Sequence, residues 1–273
     1  MTTRRTYQAK AIVSRINYYL RSLPTLFSGI ENWPALFSLL LRQGPATLRL
    51  RGGLSLTVSS LMDAWIVKET CLDRVYETHS APIENGWIVV DIGAGIGDFA
   101  TQTARDHPQT QVFAFEPFPP SYALLLENIA LNCTENVRPF PLAVCGRGTG
   151  SMTLSATGAA VQHTTTPSAP AFNVAPTLEV ACISLDTLFE SNQLERCDYL
   201  KMDCEGGEYD ILLNTSPDTL HRIRRMCLEY HDGYSAYSHR DLEAHLISVG
   251  FQTACYANPA HGYLGLLHAW QTP

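Results

Sequence analysis

The run Val89-Val90-Asp91-Ile92-Gly93-Ala94-Gly95-Ile96-Gly97-Asp98-Phe99 constrains the fold of this chain more than any other feature. Its apolar start reads as a buried strand, its three glycines as a tight turn, and Asp98 as the start of a helix. A strand, a glycine turn and a helix in that order open a Rossmann-like α/β unit, because side chains in the turn would block close approach of backbone and ligand. The spacing then selects among ligands. The dinucleotide pattern G-x-G-x-x-G needs its third glycine at position 98, which is Asp98. The pattern here is D-x-G-x-G-x-G. An acid two residues before the first glycine repels a pyrophosphate and suits the ammonium of an amino acid. The spacing therefore points to S-adenosylmethionine (SAM) rather than to NAD(P). The next strand ends in Phe115-Glu116-Pro117, and an acid at that strand end can accept the hydroxyls of a ribose. The expected cofactor wall comprises Asp91, Gly93, Ala94, Gly95, Gly97, Glu116 and Pro117.

From Trp87 onward, strands alternate with helices. Strands are predicted at Trp87–Ile92, Gln111–Glu116, Val137–Val144, Leu178–Ile183, Tyr199–Asp203 and Met226–Tyr230, with a short extra one at Ser151–Ser155. A closing pair near Phe251–Tyr256 and Tyr263–Trp270 suggests an antiparallel edge. The expected fold is α/β, a doubly wound, mostly parallel Rossmann-like sheet of the class I methyltransferase type. Residues 1–80 read as an N-terminal appendage on a SAM-binding domain of residues 81–273. In the appendage, residues 7–23 form an amphipathic helix ended by Pro24, and a second helix covers 32–43. Gly52-Gly53 turns a hairpin between Thr47–Arg51 and Leu54–Val58, and residues 60–77 return to helical spacing. Residues 156–177, rich in Ala, Thr, Ser and Pro, are expected to form a mobile lid near the acceptor.

Two later strands carry polar residues to the same carboxyl edge, where open α/β sheets bind ligands. One ends in Lys201-Met202-Asp203-Cys204-Glu205-Gly206-Gly207-Glu208, the other in Cys227-Leu228-Glu229-Tyr230-His231-Asp232. An alcohol becomes a nucleophile when its proton is taken, and an ordinary histidine suits that task at neutral pH. The expected catalytic set is His231 as base, with Asp203 and Glu229 orienting it or serving as base themselves. Asp203 also reaches the cofactor side. A second reading makes Asp203, Glu205, Glu229 and His231 an oxygen-rich site for Mg²⁺ or Mn²⁺. Glu205 and Glu208 have a plainer alternative, capping the helix that follows. Glu69 and Tyr76 of the appendage are candidates to line the cofactor pocket.

These residues also carry a family resemblance. Asp91–Gly97, Phe115-Glu116-Pro117, Asn128–Asn132, Leu185–Leu188 and above all Lys201–Glu208 resemble the FkbM-type methyltransferases, over about residues 87–232 with a weaker echo in Ser60–Glu77. The resemblance implies a SAM-dependent O-methyltransferase acting on a hydroxyl of a sugar, glycan or natural product. Two other classes stay open on the residues: a SAM-binding protein without catalysis, and an NAD(P)-dependent oxidoreductase, which Asp98 disfavours.

Charge sets the expectations for partners. The net charge is −7, so a global grip on nucleic acid is not expected. Residues 1–51 run the other way, with Arg4, Arg5, Lys10, Arg15, Arg21, Arg42, Arg49 and Arg51 against Glu31 alone. That basic segment can pack within the fold, meet another copy in a homo-oligomer, or touch a membrane surface. The eight cysteines fall mostly in apolar runs without a C-x-x-C pair, which reads as reduced core residues. The start of the chain shows no secretory pattern, so a cytoplasmic protein is expected.

Overall fold

Alternate residues of the central strands bury into two separate cores, which is what a sheet covered on both faces requires. Val90, Ile92, Phe113, Phe115, Leu200, Met202 and Leu228 pack on one side. Val89, Val112, Ala114, Tyr199 and Cys227 pack on the other. The computed structural model describes residues 18–20, 22–41, 44–80, 82–156, 163–164 and 177–272. The strands are β1 Ala46–Arg49, β2 Ser55–Val58, β3 Ile88–Ile92, β4 Gln111–Phe115, β5 Val137–Phe140, β6 Ala143–Cys145 and β7 Thr149–Ala156. They continue with β8 His163–Thr164, β9 Thr177–Ser184, β10 Tyr199–Met202, β11 Arg225–His231, β12 Gln252–Ala257 and β13 Leu264–Trp270.

The main sheet has seven strands in the order β12-β13-β11-β10-β3-β4-β5. The five strands from β11 to β5 pair in parallel. β13 is antiparallel to both β11 and β12, so the closing pair forms the expected antiparallel edge. This is the Rossmann-like, class I methyltransferase architecture.

The stretch predicted as one strand over Val137–Val144 is divided. Pro139 and Pro141 lack the N–H donors a continued ladder needs. β5 stays in the main sheet, while β6 starts a second, four-stranded sheet in the order β6-β9-β7-β8. β9, predicted as a strand of the wound sheet, lies in this second sheet beside β7, and the two are antiparallel over seven residue pairs from Thr149↔Ile183 to Ser155↔Thr177. Most of the expected lid, residues 157–162 and 165–176, lies outside the described residues, as do residues 7–17 and 21 of the first predicted helix.

Pro24 does not end that helix. Residues 18–20 and 22–29 are helical, so helix continues past the proline. The helix predicted over 32–43 is shorter, Ala35–Leu40. The one predicted over 60–77 starts at Leu61 under a Ser60–Asp63 capping box and passes at Lys68 into a π-turn ending at Leu72. All eight cysteines are free thiols, and Cys71, Cys182, Cys197 and Cys227 are buried.

The β1–β2 hairpin is fastened to the core by two side chains of the helix Pro119–Asn132. Asn128, fully buried, accepts from the Thr57 amide at 2.7 Å and donates to the carbonyls of Thr57 at 3.1 Å and Ile96 at 2.9 Å. Asn132 accepts from the Ser55 amide and donates to the Ser55 carbonyl. The appendage thus docks against the glycine turn itself. Asn128→Ala strands three buried backbone groups and is expected to cost about 2–3 kcal/mol in a denaturant titration. An unchanged midpoint would contradict this fastening role.

Candidate active site

A cavity opens at the carboxyl ends of β3, β4, β10 and β11. Its wall includes Gly93, Ala94, Gly95, Glu116, Pro117, Asp203, Glu205, Glu229 and His231. The appendage contributes Met62, Trp65, Glu69 and Tyr76, and the second sheet contributes Ala143, Val144 and Leu154.

The three glycines of the turn serve different needs. Gly93 sits at φ +73°, and a Cβ there would lie 1.8 Å from the Asp203 carbonyl oxygen. It lets the end of β3 approach the end of β10. Gly97, at φ +80°, would meet Leu125 at 2.3 Å, so it serves the packing of the following helix. A Cβ on Gly95, at φ +56°, would meet nothing within 4 Å. Gly95 borders the cavity, and the space a side chain would take there is ligand space.

Asp91 and Gly97 do not line the cavity, contrary to the expectation that both belong to the cofactor wall. The ammonium that Asp91 meets belongs to the protein. Lys201 Nζ lies 3.1 Å from Asp91 Oδ1 and donates to the Gly93 carbonyl at 2.7 Å. The β3–β10 register places Lys201 directly across from Asp91. Burial pushes the Asp91 carboxyl up to about 6 against the pull of Lys201. The Lys201 ammonium pairs with its carboxylate and braces the glycine turn from beneath.

Glu116 is 7% exposed and aims its carboxylate into the cavity wall. One oxygen accepts from the Gly95 amide at 2.8 Å and the other from the Phe118 amide at 2.8 Å. Those bonds fix its orientation and leave each oxygen with further acceptor capacity. Burial holds its pKa up to about 7. A recessed carboxylate, the space at Gly95 and the apolar side walls fit a nucleoside with a ribose at Glu116, so the residues present suit SAM.

The chemical end is a cluster of acids around one imidazole. Tyr76 donates to Asp203 Oδ2 at 3.0 Å, which brings the appendage to the end of β10. Glu69 lines the same side and accepts from the Tyr18 hydroxyl. Glu205 holds a left-handed backbone at φ +50°, a strained conformation for a residue with a Cβ. It directs a carboxylate to His231, Oε2 lying 3.3 Å from Nε2. The other ring nitrogen, Nδ1, lies 3.3 Å from Glu208 Oε1. Glu208 also accepts from the amides of Cys204 and Gly206, so it organises the turn before its helix as well as the histidine.

These neighbours change the role of His231. Burial opposes its charge, yet Glu208, Asp203 and Glu205 outweigh burial and hold its pKa up to about 10. That pull favours the protonated ring, so these neighbours favour a carboxylate over the expected His231 as the general base. Glu205 is raised to about 7 by burial and by Asp203, with His231 opposing. Glu229 is raised well above the ordinary carboxylate range, by burial and then by Asp203. Asp203, Glu205 and His231 can each bring one ligand atom within 4.8 Å of the others. Glu229, included in the expected metal set, lies outside that group.

Sequence reasoning missed Lys201 and the pairing of Glu208 with His231. Lys201 stands two residues before Asp203, so alternation already placed both on one side of the strand. Which acid Lys201 meets depends on the β3–β10 register, which no local pattern reveals.

A main sheet with this strand order, a glycine turn at its centre and an acid at the end of the neighbouring strand define a SAM-dependent methyltransferase. The methyltransferase FkbM domain matches residues 91–253, and the chain belongs to that family. Methyltransferase 1 of Beauveria bassiana (strain ARSEF 2860) is 28% identical over 209 residues, spanning 70% of this chain and 81% of that protein. Methyltransferase sdnD of Sordaria araneosa is 28% identical over 201 residues, 63% of this chain and 76% of its own length. The 31-O-demethyl-FK506 methyltransferase FkbM of Streptomyces tacrolimicus is 36% identical over 83 residues, 30% of this chain and 32% of that protein. Among solved structures, the methyltransferase FkbM of Methylobacillus flagellatus KT shares the fold at a TM-score of 0.50 and 14% identity, covering 88% of this chain and 59% of that one.

Proposed function

We propose that the protein transfers a methyl group from SAM to a hydroxyl of a sugar, glycan or natural product. SAM supplies the methyl on a sulfonium, so the protein needs only to align the acceptor and receive its proton. The observation that carries this reading is a carboxylate-rich cluster bordering the same cavity as the glycine turn. Glu116 and Gly95 hold the nucleoside part, with Ala94 and Pro117 beside them. Glu69, Tyr76 and Asp203 form the side nearer the acceptor. Glu205 takes the hydroxyl proton, and the His231 cation keeps that carboxylate available. Glu229, held toward its protonated form, adds a hydrogen-bonding carboxyl for the substrate's hydroxyls.

The cavity's charge narrows the acceptor. Glu69, Asp98, Glu116, Asp203 and Glu205 border it, while Lys201 and His231, which also border it, already face carboxylates. A phosphate or carboxylate near the reacting hydroxyl is repelled. An uncharged polyol donates hydrogen bonds to the same acids.

Glu116→Ala removes the carboxylate proposed to accept from the ribose and is expected to weaken SAM by on the order of 2–3 kcal/mol in calorimetry. Unchanged affinity in a folded variant removes Glu116 from the site. Chelator is expected to leave turnover unchanged, because in this reading the Glu205 carboxylate takes the acceptor proton. Loss on chelation with recovery in Mg²⁺ or Mn²⁺ would instead establish the metal-assisted reading of Asp203, Glu205 and His231.

A further inference from the structure

The N-terminal part of the chain presents an apolar surface that the methyltransferase core does not cover. Leu23, Phe27, Trp33, Phe37, Leu40 and Leu41 are each at least 38% exposed. They form a continuous face. The Phe27 and Trp33 rings are 5.4 Å apart and Trp33 and Phe37 5.9 Å apart, with Phe37, Leu40 and Leu41 at helical spacing. The helix Ala35–Leu40 packs on the helix Leu61–Val67. There Leu61 and Met62 continue the exposed apolar surface, and Met62 is also part of the cavity wall. The apolar face therefore runs up to the mouth of the site.

Charge identifies what can cover it. In a chain of net charge −7, residues 1–51 hold eight basic residues against one acid, Glu31. Arg49 and Arg51 are exposed beside the face. Exposed aromatic and leucine side chains beside the exposed Arg49 and Arg51, in a segment whose sequence is strongly basic, match the headgroup layer of an anionic bilayer.

We propose that this face docks on anionic membrane surfaces and sets the cavity mouth at the headgroup layer, so that the acceptor hydroxyl belongs to an amphiphile presented from the bilayer. The docking surface stands on exposure and charge alone; the nature of the acceptor rests on the methyltransferase reading above.

Vesicle flotation of the full chain tests the docking without SAM. With vesicles of phosphatidylcholine and phosphatidylglycerol in equal parts the protein should float, and with phosphatidylcholine alone it should not. Molar salt should release it. Phe37→Ser with Leu40→Ser should abolish flotation, and Arg49→Glu should weaken it about tenfold or more. SAM affinity by calorimetry should stay at the wild-type level in all variants, which shows that they are folded. Failure of the wild type to float, or flotation unaffected by the apolar and charge variants, overturns the proposal. So does a wild-type dimer in light scattering that Phe37→Ser with Leu40→Ser converts to monomer, since the face is then an interface between copies. Normal flotation in a protein that does not bind SAM leaves the docking intact and refutes the methyltransferase reading instead.

Discussion

Gly95→Leu will abolish measurable SAM binding and leave the fold standing. At Gly95 a Cβ meets nothing within 4 Å, so the leucine enters the cavity and not the protein core. Its backbone, at φ +56°, imposes a strain of roughly 1–2 kcal/mol on a side-chain-bearing residue, which a domain of this size tolerates. The ligand has no such freedom, and the affinity loss is expected to reach about 3 kcal/mol or more. Gly93→Ala serves as the contrast. Its Cβ would stand 1.8 Å from the Asp203 carbonyl, so that variant should unfold or fail to express. Thermal melting and calorimetry on the two variants separate the roles. Normal SAM affinity in Gly95→Leu would mean that the cofactor lies elsewhere.

Glu205→Gln is expected to lower turnover by roughly 10²–10⁴-fold while SAM binds with ordinary affinity. A base must be unprotonated to act. With the Glu205 carboxyl at about 7, activity should rise with pH through that value and level off above it. Were His231 the base, the rise would come near 10. His231→Gln gives a second reading of the same cluster. It removes the charge that favours the Glu205 carboxylate, so the rising limb should move to higher pH, with turnover recovering in alkaline buffer. Activity lost at every pH in His231→Gln, with a near-normal Glu205→Gln, would return the base role to the histidine.

Much of the site was legible because its residues are neighbours in sequence and sit at strand ends. Gly93, Gly95 and Glu116 could be placed from the strand–turn–helix pattern. Asp203, Glu205, Glu229 and His231 followed from alternation along two strands. What escaped depends on which strand lies beside which. Asp91 looks like a ligand for a substrate ammonium until the register sets Lys201 across from it. His231 looks like an ordinary base until Glu205 and Glu208, supplied by another turn, are seen at its two nitrogens. The fold shows the same division. The parallel sheet and its antiparallel edge are written in local periodicity. The separate sheet of β6 to β9 is not, because Val137–Val144 reads as one apolar run and only its prolines hint at the break. Asn128 and Asn132 carry part of the family resemblance, but their bonds to Ser55 and Thr57 span more than seventy residues.

Methyl transfer to a hydroxyl can be followed by incubating the protein with methyl-deuterated SAM and a pool of hydroxylated acceptors, then fragmenting the labelled products by mass spectrometry. The deuterated methyl should appear on oxygen, as an ether of an uncharged acceptor, and should be lost in Glu205→Gln. Label on nitrogen or carbon, or equal labelling by Glu205→Gln, would contradict it.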